Sequence, residues 1–273
     1  MKRFFLTLFT YLLASIITSE VFTYYNISRV TGHEVRTAVR NSKTKFKKKI
    51  KVLIIGDSTG HPLYPCEKKY DSAVSLTCTN AVTMAGHFFM LKNYLEHNVN
   101  NLPQKIVLIY TPTSFSNDLN EYAYHHFLKP FPIWEYRNDY TPHLCERVKS
   151  IPYWWTAYLP FVHASGYTPV NSIPQRTIKQ NFPQISYEYL LRIDSLAQAY
   201  NIPFYMYSSP VRDDKRDMII QVCKDIERVD SARLSHLIKP YIQSVKYYPA
   251  EQFRDAAHMS NDYVPEDYLD ILK

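Results

Sequence analysis

Lys51-Val-Leu-Ile-Ile-Gly-Asp-Ser-Thr-Gly60 carries the pattern on which the reading of this chain turns. Val52 to Ile55 are apolar and mostly β-branched, and they run without alternation into Gly56-Asp57-Ser58. That is the signature of a short strand buried on both faces, stopping at a serine, with Thr59 and Gly60 in the turn that follows. In open α/β sheets ligands bind beyond the carboxyl ends of the strands, so Ser58 stands where a reactive group is expected.

Working outward, Lys105-Ile-Val-Leu-Ile-Tyr110 repeats the unalternating apolar pattern, and Ile202 to Tyr207 is read as a further strand. Ala73 to Thr79 alternates enough to be the second strand of the series. Between them, His87–Glu96 and Gln184–Tyr200 have helical spacing, and Asp214–Lys239 reads as one charged amphipathic helix. Strand and helix alternate, which predicts an α/β fold, a parallel sheet with helices on both faces. Residues 120–175 form an aromatic-rich insertion containing His125, His126, Trp134, Trp154 and Trp155. The adjacent histidines lack a carboxylate or third histidine at ligand spacing, so loop histidines are the expectation there.

The hydrophobic fraction of 46% and charged fraction of 21% place the chain among globular proteins rather than disordered ones. Five glycines against 17 prolines and 24 tyrosines imply stiff, aromatic loops, suited to flat ligands such as sugars. The net charge of +7 is a nucleic-acid signature only if the charge is spread over a face. Much of it falls between Arg36 and Lys51, including Lys43, Lys45, Lys47, Lys48 and Lys49, and beyond that run the charges nearly balance. Nucleic acid is therefore not expected as a partner. The four cysteines, Cys66, Cys78, Cys145 and Cys223, show no metal-binding spacing. Cys66 and Cys78 are closest in sequence, and either a disulfide or buried free thiols fit them.

Met1-Lys-Arg precedes an apolar run from Phe4 to Ile17, the layout of an export signal. No good small-x-small cleavage site follows, which favours an uncleaved signal anchor over a cleaved signal peptide. A full span of about 20 residues is reached only by including Ser19, Glu20 and Val21 to Tyr25. The expected organisation is a signal anchor or signal peptide at 1–25, a basic linker at 26–50, and one domain over 51–273 facing the periplasm or cell exterior.

Asp255 and His258 stand three apart in a loop near the C-terminus. An aspartate that orients an imidazole, and an imidazole that takes a serine proton, complete a nucleophilic triad with Ser58. Gly56-Asp57-Ser58 after the first strand, with Asp255-x-x-His258 at the far end, resembles the SGNH (GDSL-type) hydrolase superfamily over roughly residues 51–265. The resemblance implies a flavodoxin-like three-layer α/β/α sandwich with a central parallel sheet. It implies Ser58, Asp255 and His258 as catalytic residues. It also implies an oxyanion hole from the Ser58 amide, the Gly86 amide, for whose position Ala85 competes in register, and the Asn117 side chain. The family's Gly-x-Asn-Asp reads Phe115-Ser-Asn-Asp118 here, without the glycine, and Thr111 and Ser114 are the other polar residues able to face the site. With an N-terminal anchor, the pattern resembles membrane-tethered members that move or remove acyl groups on envelope polysaccharides. No metal or nucleotide cofactor is implied. Trp154 and Trp155 are candidates for stacking on sugar rings, and Arg254 for an anionic substrate group.

Overall fold

The computed structural model describes residues 1–24, 33–119, 124–151, 154–158, 181–229, 232–260 and 263–272. Four strands form a parallel sheet: β1 (Val52–Gly56), β2 (Ala73–Thr77), β3 (Lys105–Ile109) and β4 (Phe204–Tyr207), in the order β2-β1-β3-β4. β1 sits centrally, with Val52 paired to Ala73 on one side and to Lys105 on the other. Every residue of β1 and β2 is buried; β1 accordingly reads as an apolar run, whereas the alternation of β2 places Ser75 and Thr77 where their hydroxyls reach the Tyr64 carbonyl. The chain is therefore α/β with a central parallel sheet, as the sequence predicts.

The two faces of the sheet are covered differently. Leu53, Ile55, Val74, Leu76, Ile106 and Leu108 point into the larger core. That core is filled from α2 (His33–Ser42), α3 (Thr83–His97), α7 (Gln184–Ala199), α8 (Arg216–Val229) and α9 (Ser235–Gln243). Val52, Ile54, Val107 and Ile109 point the other way, onto Leu63, Tyr64, Phe253, Met259, Tyr268 and Ile271. On that side the cover is the loop after β1 and the C-terminal segment, whose helical parts are one short turn, α10 (Glu266–Leu269), and a 3-10 turn. The sequence places helices on both faces; here one face carries the long ones.

The aromatic insertion is chiefly core. Its described parts include α4 (Tyr124–Leu128), α5 (Ile133–Tyr136) and α6 (Pro142–Ser150). Phe127, Phe131, Tyr136 and Tyr140 from this region surround Phe89 of α3, Tyr140 stacking on it at 5.6 Å. Trp155 is exposed and Trp154 half-buried in a 3-10 turn; residues 120–123, 152–153 and 159–175 of the insertion, and the side chain of His125, lie outside the described residues. The helix expected over Asp214–Lys239 is two, α8 and α9. Two short strands, β5 (Val211–Arg212) and β6 (Tyr247–Tyr248), pair in parallel beyond the end of β4.

Two expectations about the N-terminal region are corrected. Residues 33–42 are not linker: α2 buries Val35, Thr37, Ala38 and Ser42 against the domain. Arg40 is exposed and Glu34 and Arg36 are half-buried, so a charged composition concealed an amphipathic helix. Lys43 continues the tie, its ammonium 2.5 Å from Glu135. Of the remaining linker positions, Ile50 is in the core with Phe46 packed against it, and 26–32 lie outside the described residues. The N-terminus is helical as α1 (Lys2–Tyr24), but among the described residues no helix is long and apolar enough to cross a membrane. Thr7, Thr10, Ser15 and Thr18 interrupt the apolar run, and the hydroxyls of Thr7 and Thr10 turn back onto the carbonyls of Arg3 and Leu6.

Candidate active site

The turn after β1 is fixed by a buried aspartate. Asp57 Oδ1 accepts the Thr59 N–H at 2.8 Å and the Thr59 hydroxyl at 2.6 Å, and the Asp57 carbonyl accepts the N–H groups of Gly60 and His61. Burial pushes the Asp57 carboxyl up, against the hydroxyls of Ser114 and Thr59, which favour its charge. Asp57 thus shapes the turn. Ser209, buried after β4, donates its hydroxyl to Thr59 Oγ1 at 2.8 Å and locks the turn to the end of β4. Gly56 is dictated by crowding: a Cβ there would lie 2.5 Å from the Ile109 carbonyl oxygen, so only glycine lets β1 approach β3 this closely.

This arrangement leaves Ser58 half-buried at the carboxyl end of the central strand. Neither its N–H nor its hydroxyl has a hydrogen-bond partner among the described residues. A free N–H beside a free Oγ is what an attacking serine with its own oxyanion donor requires.

Asp255 and His258 are joined directly. Phe253 and Met259 form an isolated antiparallel bridge, the Arg254 N–H reaches the His258 carbonyl at 3.0 Å, and the residues between form the tip of this small loop. His258 Nδ1 lies 2.9 Å from both Asp255 oxygens, and Asp255 Oδ1 also accepts the N–H groups of Ala257 and His258 at 2.8 Å. Burial alone would raise the Asp255 carboxyl; these N–H donors and the imidazole outweigh it and hold it down at about 2. With Nδ1–H donated to the carboxylate, Nε2 is the nitrogen left to accept a proton. Arg212 donates to the Asp255 carbonyl at 3.2 Å and moors the loop to β5. Arg254 Nε stands 3.7 Å from Asp255 Oδ2, a surface ion pair.

Ser58 and the Asp255–His258 pair stand on segments that converge on one core. Phe253 and Met259, which flank the pair, are buried with Leu63 and Tyr64, which follow the Ser58 turn, and with Ile109 at the end of β3. No hydrogen bond joins Ser58 to His258.

Of the other implied oxyanion residues, Gly86 lies in a helix and Asn117 follows a 3-10 turn. Gly86 is the fourth residue of α3, where the N–H already belongs to the helix ladder. Its missing side chain makes room for packing, since a Cβ would come within 2.8 Å of Val82 and 2.9 Å of Phe131. Gly86 is therefore required by packing. Asn117 caps a 3-10 turn, Pro112–Ser116, with its amide nitrogen buried beside Tyr110 and without a partner among the described residues. Ser114 and Thr111 are buried in the same turn region. Thr59 and Ser209, which sequence reasoning did not single out, were signalled by hydroxyl residues directly beyond strand ends.

All four cysteines are free thiols, so no Cys66–Cys78 disulfide is present. A separate cavity of about 400 Å³ lies against β3 and β4, lined by Lys105, Tyr205, Tyr207, Asp267 and Asp270 among others. Ser58, Asp255 and His258 do not line it. No known protein family matches this chain, and no curated protein or solved structure does so either.

Proposed function

We propose that the protein is an SGNH-type serine esterase or O-acyltransferase with a flavodoxin-like α/β/α sandwich, acting on acylated cell-envelope glycans outside the cytoplasm. The observation that carries this reading is the Asp255–His258 pair, with Nδ1 bound by the carboxylate, on a loop sharing a core with the Ser58 turn. His258 Nε2 takes the Ser58 proton as Oγ attacks the ester carbonyl. The Ser58 N–H receives the developing oxyanion, the alcohol leaves with the proton from His258, and an acyl-serine remains. Water then gives hydrolysis; a sugar hydroxyl gives transfer. Removing one oxyanion donor costs about 3 kcal/mol of barrier in serine hydrolases, so a site resting chiefly on the Ser58 amide predicts a slow enzyme.

Turnover of p-nitrophenyl acetate by the wild-type protein and by Ser58→Ala tests this. The expected loss is at least about a thousandfold, with Ser58 labelled by a fluorophosphonate. Equal turnover by the two proteins, with Ser58 unlabelled, rejects the triad.

A second reading, a catalytically silent glycan-binding or assembly protein of the same fold, is favoured by the cavity at Tyr205 and Tyr207. Aromatic faces beside the carboxylates of Asp267 and Asp270 suit sugar rings and hydroxyls. It predicts polysaccharide binding that survives Ser58→Ala and is lost in Tyr205→Ala.

A further inference from the structure

We propose that His61, Cys66 and Glu67 form a binding site for one divalent transition-metal ion of the zinc type. One ligand atom from each residue lies within 4.8 Å of the others, and His61 Nε2 stands 2.9 Å from Glu67 Oε2. Zinc bonds of about 2.0–2.3 Å in a tetrahedron separate neighbouring ligand atoms by roughly 3.3–3.8 Å. Metal entry therefore needs the ring and carboxylate to part by a few tenths of an ångström and the thiol to draw in by at most about one.

The backbone already holds the ligand carriers in place. The His61 N–H is bonded to the Asp57 carbonyl in the turn that fixes Ser58, and the next turns are closed onto Gly60 by Leu63 and Tyr64. Cys66 and Glu67 are the central residues of a turn closed by the Lys68 N–H on the Pro65 carbonyl. The Cys66 carbonyl accepts the Asn41 side-chain amide at 2.8 Å, and its thiol contacts the Glu34 carbonyl at 3.3 Å, both on α2. Lys68 turns its ammonium over the Tyr70 ring, 5.6 Å from the centroid.

The chemistry of the set selects the ion. A thiolate and a carboxylate together carry the two negative charges that a divalent cation neutralises, and the imidazole binds as a neutral ligand. Sulfur and imidazole nitrogen favour zinc-like ions, whereas calcium and magnesium require six or more oxygens. Cys66 is buried while His61 and Glu67 reach solvent, so the site has an inner anchor and an open side. Three protein ligands leave a fourth position for water or a substrate oxygen.

The test is titration of the full chain, stripped with chelator, with cobalt(II) as probe and zinc as competitor. One equivalent of cobalt is expected to give a thiolate-to-metal charge-transfer band, bleached by zinc. Cys66→Ser should lose the band, Cys145→Ser should keep it, and His61→Ala should weaken cobalt binding at least about tenfold. Circular dichroism checks that each variant is folded. If Cys66→Ser does not fold, the partly exposed His61→Ala decides. The proposal is overturned by a wild-type protein without the band, by a band that persists in folded Cys66→Ser, or by unchanged affinity in His61→Ala. These readouts do not depend on esterase activity, so they separate the metal site from the triad.

Discussion

At Asp255 two backbone N–H groups and an imidazole converge on one carboxylate. The folded-state value of about 2 lies below the ordinary 3.8, so the stabilisation is complete above the ordinary value and is lost as pH falls from about 4 through 2. The loop should therefore hold its geometry at pH 5, and the His258 ring resonances should show the Asp255 contact released only below about pH 3. Asp255→Asn tests the catalytic side of the same contact. An amide can still accept the N–H groups but no longer stabilises an imidazolium or enforces the tautomer, and a fall of about 10⁴ in kcat is expected. A loss of only a few-fold, with folding intact, would reduce Asp255 to a loop anchor. Gly86 supplies the opposite control. In Gly86→Ala the methyl meets Val82 and Phe131, and overpacking of about 1–3 kcal/mol should exceed the helix-propensity gain of up to about 1 kcal/mol. The expected result is a lowered urea midpoint with undiminished esterase activity per folded molecule. Lost kcat at unchanged stability would return Gly86 to the oxyanion hole.

At the scale of elements, α3 carries a further pH dependence. His87 is fully buried, packs edge-on to Tyr110 at 5.7 Å, and has neither ring nitrogen partnered among the described residues. Burial lowers it to about 3 from an ordinary 6.5, so it folds neutral. Below 6.5 the unfolded chain takes up a proton that the native state refuses, and stability falls by roughly 1 kcal/mol per pH unit until about pH 3. Urea melts at pH 7 and pH 5 should show this loss in the wild type, and His87→Leu should be less pH-sensitive over the same interval. Equal pH sensitivity in both proteins would place a charge or a partner on His87. The same helix shows what the sequence made legible. β1 and β3 were readable because strands buried on both faces need unbroken apolar runs, and Asp255-x-x-His258 because its spacing is local. Gly86 was less legible, because an apolar helix face and an oxyanion turn can both use a glycine, and its contact with Phe131 spans 45 residues of sequence. β5 and β6, two residues each, are too short to leave a pattern, and α2 was hidden by its charged composition.

For the whole molecule, the boundary of the folded unit lies between α1 and α2. The described side chains of α1 are exposed apart from half-buried Ile16, whereas α2 contributes Val35 and Ala38 to the main core and holds the Cys66 turn through Glu34 and Asn41. A chain starting at residue 30 should therefore match the full chain in urea midpoint and in esterase activity. A chain starting at residue 45 loses α2, and with it the cover over β2 and α3. Burial of Val35 and Ala38, at about 1–3 kcal/mol for a side chain of this size, together with the two contacts to Cys66, amounts to several kcal/mol. That is a large part of the 5–15 kcal/mol that keeps a typical domain folded. The shorter chain should unfold at markedly lower urea, and its cobalt charge-transfer band should weaken in parallel because Cys66 is no longer held. If the two truncations are equally stable, α2 is an appendage rather than part of the core. If the shorter chain is destabilised but binds cobalt unchanged, the ligands at His61, Cys66 and Glu67 are organised by the Ser58 turn alone.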